Sequence, residues 1–565
     1  MFDQQFYDAV LDAARHRAAT IVERGSAHDG LLPAHRELMR DAKVVLSVAV
    51  ADSPRPELLA SARERIQLLR AAQSGSGLFD GGDNVQSPPD SAFTINDACD
   101  AYALTEPRAD EADIRAVRGM LEAIIRSATG ALLVGGVHTP NHRWELSAAL
   151  GRIHRSFPDQ ALVHRIDDWL AEGIDIDHDG LYSERSPNYA AHVTNPSLRV
   201  LARILDRPQL AEIVHRNLDA TLPLLRPDDT VETVQSRRQD QNTTFPLGSY
   251  LVAFRSAAIA TGRGDFADAA RRAAAHTAPD PEVLAEGLLD PRLFERLPEP
   301  TAKAADGSYH LRSVSLAGRR SRLAESVVYA GSDYSAHGRV RSGLANNPTF
   351  CRLFAGEVIL DSVRLSRAFF DVGPFRPSVM RPLGDDVFVL GERVDAAYYQ
   401  PLAPAARNDD GRYELADDGR FSASMSFSAR ASDLVTMTTS VTATLRDDGI
   451  DLSVSIDSPT VPWSMEFAFR EGGEVEGGVA DADGSWLLAS GRGAYRVGAS
   501  RVAIDLDGTE PSEHPLPYVP GQDYSFLGAT DAVSGVRVRV GGTAPARFTV
   551  RLTAEQLGDD RGARR

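Results

Sequence analysis

Arg296-Leu297-Pro298-Glu299-Pro300-Thr301-Ala302-Lys303-Ala304-Ala305-Asp306-Gly307 is where the chain changes its hydrophobic period. Two prolines and a run of small polar residues mark a linker. Upstream of it, apolar residues recur every three or four positions, the spacing of a helix face. Downstream they alternate, the spacing of a strand with one buried side. The chain therefore divides into a helical domain over 1–296, a linker over 297–308, an antiparallel β-sandwich over 309–556 and a tail over 557–565.

Working back from the linker, Phe2, Phe6, Val10, Ala14, Ala18 and Ile21 line one helix before Gly25, and Leu58, Ala62, Ile66 and Leu69 another before Gly75 and Gly77. Further helical runs cover about 92–105, 110–129, 144–156, 159–172, 195–206, 209–225, 246–262, 264–276 and 281–296. No strand is read in this half. Short connections make neighbouring helices antiparallel hairpins. Working forward, strands are expected from His310 to Leu316, Ser326 to Tyr329, Val387 to Leu390, Phe421 to Phe427, Leu434 to Leu445, Ile450 to Ile456 and Phe548 to Leu552. Turn signals at Asp409-Asp410-Gly411, Asp417-Asp418-Gly419 and Asp447-Asp448-Gly449 separate them. Trp463 and Trp486 read as sandwich core or surface rather than as sugar platforms.

Composition narrows the function. With 565 residues and 43% hydrophobic content the chain can bury large cores. No apolar run approaches the roughly 20 residues of a membrane span. The formal net charge of −18 argues against nucleic acid and anionic membrane surfaces, both of which reward basic patches. Two distant cysteines, Cys99 and Cys351, make neither a disulfide framework nor a zinc motif. The first residues, Met1-Phe2-Asp3-Gln4-Gln5-Phe6-Tyr7-Asp8, lack a basic leader and an apolar core, so the expected location is cytoplasmic. A homo-oligomer is compatible with all of this.

Three connections in the helical half are long: 73–91, 174–194 and 227–245. Long loops in a compact helical domain tend to be functional, and these are expected to gather at one mouth. The first holds Phe79-Asp80-Gly81-Gly82-Asp83-Asn84-Val85-Gln86, and the third Gln235-Ser236-Arg237-Arg238-Gln239-Asp240-Gln241-Asn242. The second holds Glu184-Arg185-Ser186-Pro187-Asn188-Tyr189, followed by His192. Between the first two, His138-Thr139-Pro140-Asn141-His142-Arg143-Trp144-Glu145 places Asn141 and His142 at a helix start, which favours anions. An amide, an imidazole and the phenol of Tyr189 in one cleft could bind a carboxylate and move a proton.

Paired helices followed by an antiparallel sandwich, with Asn141-His142, Glu184-Arg185-Ser186-Pro187-Asn188-Tyr189 and a histidine entering the sandwich, His337, resemble the polysaccharide lyases of the heparinase II/III and alginate lyase type. The resemblance implies an (α/α) toroid in the N-terminal half. It also implies a site built from an Asn-His pair, a Tyr after a Glu-x-Ser-Pro-like loop and a His from the β domain. The chain departs from the pattern at Ser335-Ala336-His337-Gly338-Arg339, which lacks the His-x-His-x-Asp of a near heparinase-type relative.

Cleavage of a 4-linked uronate by such an enzyme is a β-elimination that yields an unsaturated uronic acid. The carboxylate beside C5 must be neutralised before the C5 proton can leave, which preorganised donors accomplish. Asn141 is the expected donor, with His142 or Arg238. Tyr189 is the expected acid, and either Tyr189 or His142 the base. Gln86, Arg143, Arg185, His192, Arg237, Arg238 and His337 are expected to bind an acidic oligosaccharide or polysaccharide. No cofactor and no metal site is read. Asp175-Ile176-Asp177-His178-Asp179-Gly180 opens like a calcium loop, but its twelfth position is Ser186 rather than a bidentate Glu.

Plainer readings stand beside these. Asn141 also suits a helix cap, His142 a half-buried core histidine, Tyr189 a loop anchor and Arg237-Arg238 a salt-bridged surface pair. Two other functions remain in play: a glycoside hydrolase on a similar toroid, drawing two carboxylates from Glu145, Glu184, Asp80 and Asp90, and a glycan-binding protein without turnover.

Overall fold

The computed structural model describes residues 1–25, 34–52, 55–241, 243–275, 279–301, 306–331, 347–512 and 534–557. The chain forms two compact units: Met1–Val231 with Phe245–Lys303, and Glu232–Thr244 with Ala304–Arg565. The third long connection thus groups largely with the β-rich unit rather than with the helices that flank it.

The helices of the first unit are α1 (Gln4–Arg24), α2 (His35–Ala51), α3 (Pro56–Ala72), α4 (Pro88–Leu104), α5 (Ala112–Val134), α6 (Pro140–Ser156), α7 (Gln160–Ala171), the single turn α8 (Pro187–Tyr189), α9 (Asn195–Ile204), α10 (Pro208–Thr221), α11 (Leu251–Thr261), α12 (Gly264–Ala275) and α13 (Val283–Leu289). Proline stands in the first turn of six of them, where its missing N–H costs nothing.

Helices α2, α4, α6 and α9 pack on one another in succession, and α13 packs on both α2 and α4. Helices α3, α5, α7 and α10 each lie outside a partner of that inner row. Burial follows position. Outer α5 buries one stripe, Ile114, Val117, Leu121, Ile124, Ile125, Ala128 and Leu132. Inner α2 buries Leu38, Met39, Ala42, Val44, Val45, Leu46, Val48 and Ala49, almost all round its circumference. The sequence reading above passes over α2.

Charge locks the inner row. Lys43 on α2, one of two lysines in the chain, lies 2.5 Å from Asp97 on α4 and 2.5 Å from Glu282 beside α13. The two ends of the unit are sewn together by Arg255, which donates to the Leu293 carbonyl (2.7 Å), the Glu295 carbonyl (2.6 Å) and Asp3 (2.8 Å). Among the described residues no helix is long and apolar enough to cross a membrane.

In the second unit, Gly307–Leu311, Leu316–Arg320, Glu325–Tyr329, Cys351–Ala355 and Val358–Arg367 are successive antiparallel neighbours. The strand Gly449–Phe469 is the pivot of the sheet. Val536–Gln556 pairs along it from end to end, while its opposite edge is shared between Ser432–Arg446 for the first half and Val358–Arg367 for the second. The changeover coincides with an irregularity between Ile456 and Val461, where Pro459 interrupts the ladder. A strand that bends from one layer into the next is how a continuous ladder becomes a sandwich. Trp463, stacked on Phe548 at 4.2 Å, sits in the core between the layers.

Of the Asp-Gly signals, Asp447-Asp448-Gly449 and Asp417-Asp418-Gly419 do join hairpin strands. Asp409-Asp410-Gly411 makes a turn with no flanking strand pair. His310 to Leu316 is broken by a 3-10 turn at Arg312–Val314, so one expected strand becomes two. Phe421 to Phe427 shortens to Ser422–Ser424. Cys99 and Cys351 are buried free thiols.

Candidate active site

Helix α6 begins at Pro140 after an extended Thr139, so Asn141 and His142 lie in its first turn as expected. Asn141 is buried, and its amide nitrogen donates to Glu184 of the second long connection. Residues 43 positions apart therefore meet.

That connection is held by two buried networks. Asp175 accepts from Arg143 (3.1 Å), from the Trp144 indole (3.1 Å) and from the Ser183 hydroxyl. The Tyr182 hydroxyl donates to Asn195 (2.8 Å), which donates to Asn217 (3.0 Å), which in turn donates to the Gly180 carbonyl (3.0 Å). Gly180 stands at φ +97°, and a Cβ there would lie 2.5 Å from the Arg216 carbonyl oxygen, so the turn requires glycine. Asp177 closes it by accepting from the Gly180 and Leu181 N–H groups at 2.9 and 3.0 Å. The acidic run 175–180 is thus spent on turn and loop bonds, and no cluster of metal-holding side chains occurs among the described residues.

Ser186 caps the turn α8 by accepting from the Tyr189 N–H at 3.1 Å. A π-helical turn over Ala190–Thr194 separates Tyr189 from α9, a distortion that recurs at functional sites. The Tyr250 hydroxyl donates to the Pro187 carbonyl at 3.1 Å, and the exposed His192 meets the Phe245 ring edge-on at 6.0 Å. Arg185 is half-buried at φ +53°.

On the other side of His142 lies the first long connection. It is not structureless: Phe79–Gly81 and Asn84–Ser87 pair as a hairpin, with the exposed Gln86 accepting from the Ser76 hydroxyl at 2.8 Å. A second small ladder, Thr230–Val231 with Phe245–Pro246, closes the ends of the third connection. Both correct the reading of a strand-free helical half; in each case the segment is too short to show alternation.

The hairpin ends at Ser87, which caps α4 by accepting the Asp90 N–H at 3.2 Å and so sets Asp90 in its first turn. Burial works against the charge of Asp90. Hydrogen bonds from Ser87 (2.6 Å) and the Asn84 amide (3.2 Å), together with the charge of the paired Arg36 guanidinium and electrostatic interaction with the nearby His142, outweigh that and hold its carboxyl below the usual carboxylate range. His142 itself is half-buried, edge-on to His138 at 4.8 Å and to Phe93 at 6.3 Å, and Arg36 covers Phe93 at 3.9 Å. Arg36 is the site neighbour that sequence reading missed, because it rides on α2.

One turn deeper on α6, Glu145 accepts from Asn96 (2.6 Å) and Ser197 (3.2 Å). Burial pushes its carboxyl up to about 7, against those hydrogen bonds and the charge of Arg152.

Of the residues expected to bind substrate, Arg143 has its charge balanced internally by Glu172 (2.9 Å) and Asp175 and covers Trp144, so it braces α6 against the loop. Arg237 and Arg238 lie on the 232–244 segment of the β-rich unit, where Glu232 pairs with Arg352 and the Asn347 amide holds the Val234 carbonyl at 3.0 Å. His337 and Asn242 lie outside the described residues.

No protein-family model matches the chain, and no curated protein matches it in sequence. Solved structures do. The structure of heparinase III is similar over 95% of this chain and 81% of that one, with a TM-score of 0.60 at 9% identity. The chondroitin AC lyase of Streptomyces coelicolor A3, in complex with chondroitin sulphate, is similar over 97% of this chain and 79% of that one, with a TM-score of 0.53 at 14% identity. At such identities what is shared is the fold: a helical toroid followed by a β-rich antiparallel domain, the architecture of these polysaccharide lyases.

Proposed function

We propose that the protein is a lyase that cleaves a uronate-containing polysaccharide or oligosaccharide by β-elimination, leaving an unsaturated uronic acid. The observation that carries the reading is the bond from Asn141 to Glu184, which ties the Asn-His turn of α6 to the loop that turns into Tyr189. The shared fold supports it.

An amide carries two hydrogens. Glu184 takes one and fixes the group, leaving the second to hydrogen-bond the substrate carboxylate, with His142 beside it. Withdrawing charge from that carboxylate lets the C5–H bond break, its electrons forming the C4–C5 double bond as the C4–O4 bond breaks. His142 or Tyr189 receives the C5 proton according to the face on which it lies, and Tyr189 gives a proton to O4. Every step is a proton transfer or a charge stabilisation, within the means of side chains.

The test is the ultraviolet absorbance of the conjugated product across a panel of unsulfated and sulfated uronate glycans. Wild type is expected to produce it, and Tyr189→Phe to slow it by about 10²–10⁴, the usual contribution of a positioned acid or base. Sugar release without that absorbance would identify a hydrolase and overturn the proposal.

A further inference from the structure

We infer that the pocket between the 79–87 hairpin and α2 is a sugar subsite that takes an unsulfated ring of the glycan and rejects a sulfated one. The inference rests on the lyase reading for its substrate class. Its evidence is separate.

The pocket has a volume of about 430 Å³, within the range of small-ligand sites, and Phe79, Asp80, Gly81, Asp90, His35 and Arg36 line it. It adjoins the proposed chemistry. Asp90 is close enough to His142 for the two to interact electrostatically, and Phe93, one turn further along α4, stands between the Arg36 guanidinium and the His142 ring.

Its charge decides what it can hold. Among the described lining residues two carboxylates, Asp80 and Asp90, face one cation, and that cation is already paired with Asp90 and covers Phe93. His35 adds no positive charge: its ring stacks on Phe79 at 4.9 Å and its Nδ1 bonds Thr94 at 2.7 Å, and burial holds its pKa below the ordinary value. Carboxylates are acceptors only, suited to the hydroxyl donors of a sugar ring and opposed to a sulfate, which also only accepts. A sulfated residue would meet the like charge of Asp80 and Asp90.

Gly81 makes the arrangement possible. A Cβ at this position would lie 2.3 Å from the Asp90 carboxyl carbon, so the hairpin can close on Asp90 only as glycine.

The experiment is calorimetric titration of the full-length Tyr189→Phe protein, in which turnover is suppressed. The probes are matched tetrasaccharides: unsulfated chondroitin against its sulfated form, and heparosan against heparan sulfate. In at least one pair the unsulfated member is expected to bind about tenfold more tightly, the effect of one like-charge encounter or one lost charged hydrogen bond. Adding Asp80→Ala should weaken that member about tenfold, and Asp80→Lys should erase or reverse the preference. Asp80 is exposed, but its carboxylate also accepts the Gln86 N–H within the hairpin, so Asp80→Asn, which keeps that acceptor without the charge, is run beside both changes and should weaken the preference as well. Equal binding within both pairs, a preference indifferent to Asp80→Lys, or no binding of either unsulfated probe overturns the subsite. Failure of the lyase reading shows differently, as absence of the conjugated product from wild type while the titrations still discriminate.

Discussion

Two buried glutamates flank the first turns of α6, and each accepts a hydrogen bond from an asparagine amide. Glu145 takes the Asn96 amide at 2.6 Å and the Ser197 hydroxyl at 3.2 Å, so it joins α4, α6 and α9 of the inner row. Glu184 takes the Asn141 amide and joins a helix start to a loop. The chemistry of the two pairs is the same, and their settings differ. Between three packed helices an Asn-Glu pair is mortar, and its cost appears as a raised carboxyl pKa. At a helix start facing a turn that leads to a tyrosine, the same pair holds an amide in place for something else to use. Position in the fold, rather than residue type, separates the structural pair from the proposed functional one.

The sharpest way to break this contrast is to remove one amide at a time. Asn141→Ala is expected to lower kcat by about 10²–10³, the usual loss for one preorganised donor, and to leave KM nearly unchanged. Asn96→Ala should instead act on stability, because it leaves the buried Glu145 short of a partner, at a cost of about 1–3 kcal/mol. Initial rates of conjugated-product formation and urea unfolding of both variants check the pair. Interchanged results would sink the assignment.

Much of this was legible in the sequence, and the illegible part has physical reasons. The linker after Phe294, the outer helices and the Asp447-Asp448-Gly449 hairpin announce themselves because each buries one face or needs a defined turn. The placing of Asn141-His142 at a helix start and of Tyr189 after a proline-punctuated loop was legible because both are local features. Helix α2 was passed over because it runs from a polar start, His35-Arg36-Glu37, into the near-continuous apolar stretch 44–51, which is buried nearly all round and reads less plainly than a single stripe. Arg36 and the pocket it lines were hidden with it. Which unit the 232–244 segment packs with depends on partners more than a hundred residues distant, such as Asn347 and Arg352, which no local pattern encodes.

The second prediction turns on protons. In the folded protein Glu145 titrates at about 7, against an ordinary value of 4.5, so it is a group whose folded pKa is raised. Between those two values the folded state keeps a proton that the unfolded chain gives up, and stability therefore falls as pH rises through the window and levels off above it. Glu145→Gln removes the titration while keeping a carbonyl for Asn96 and an N–H for Ser197. Relative to the variant, wild type should lose about 3 kcal/mol between pH 4.5 and pH 8. Parallel pH profiles of the two proteins in chemical unfolding would show that Glu145 is not the group responsible.

The smallest effect asks most of the comparison, because it tests whether Glu184 acts through Asn141 or on the substrate itself. Glu184→Gln keeps an acceptor for the Asn141 amide but exchanges a charged hydrogen bond for a neutral one of roughly half the strength. The amide is then held less firmly without being lost, and kcat is expected to fall about tenfold with KM little changed. Glu184→Ala, which removes the acceptor, should fall further, toward the Asn141→Ala rate. In the double variant Asn141→Ala, Glu184→Gln, the second change should cost nothing more, since a positioning residue has no work left once the group it positions is gone. Additive losses in that cycle would place Glu184 on the substrate directly, and would turn the mouth-side pair from a clamp into two independent contacts.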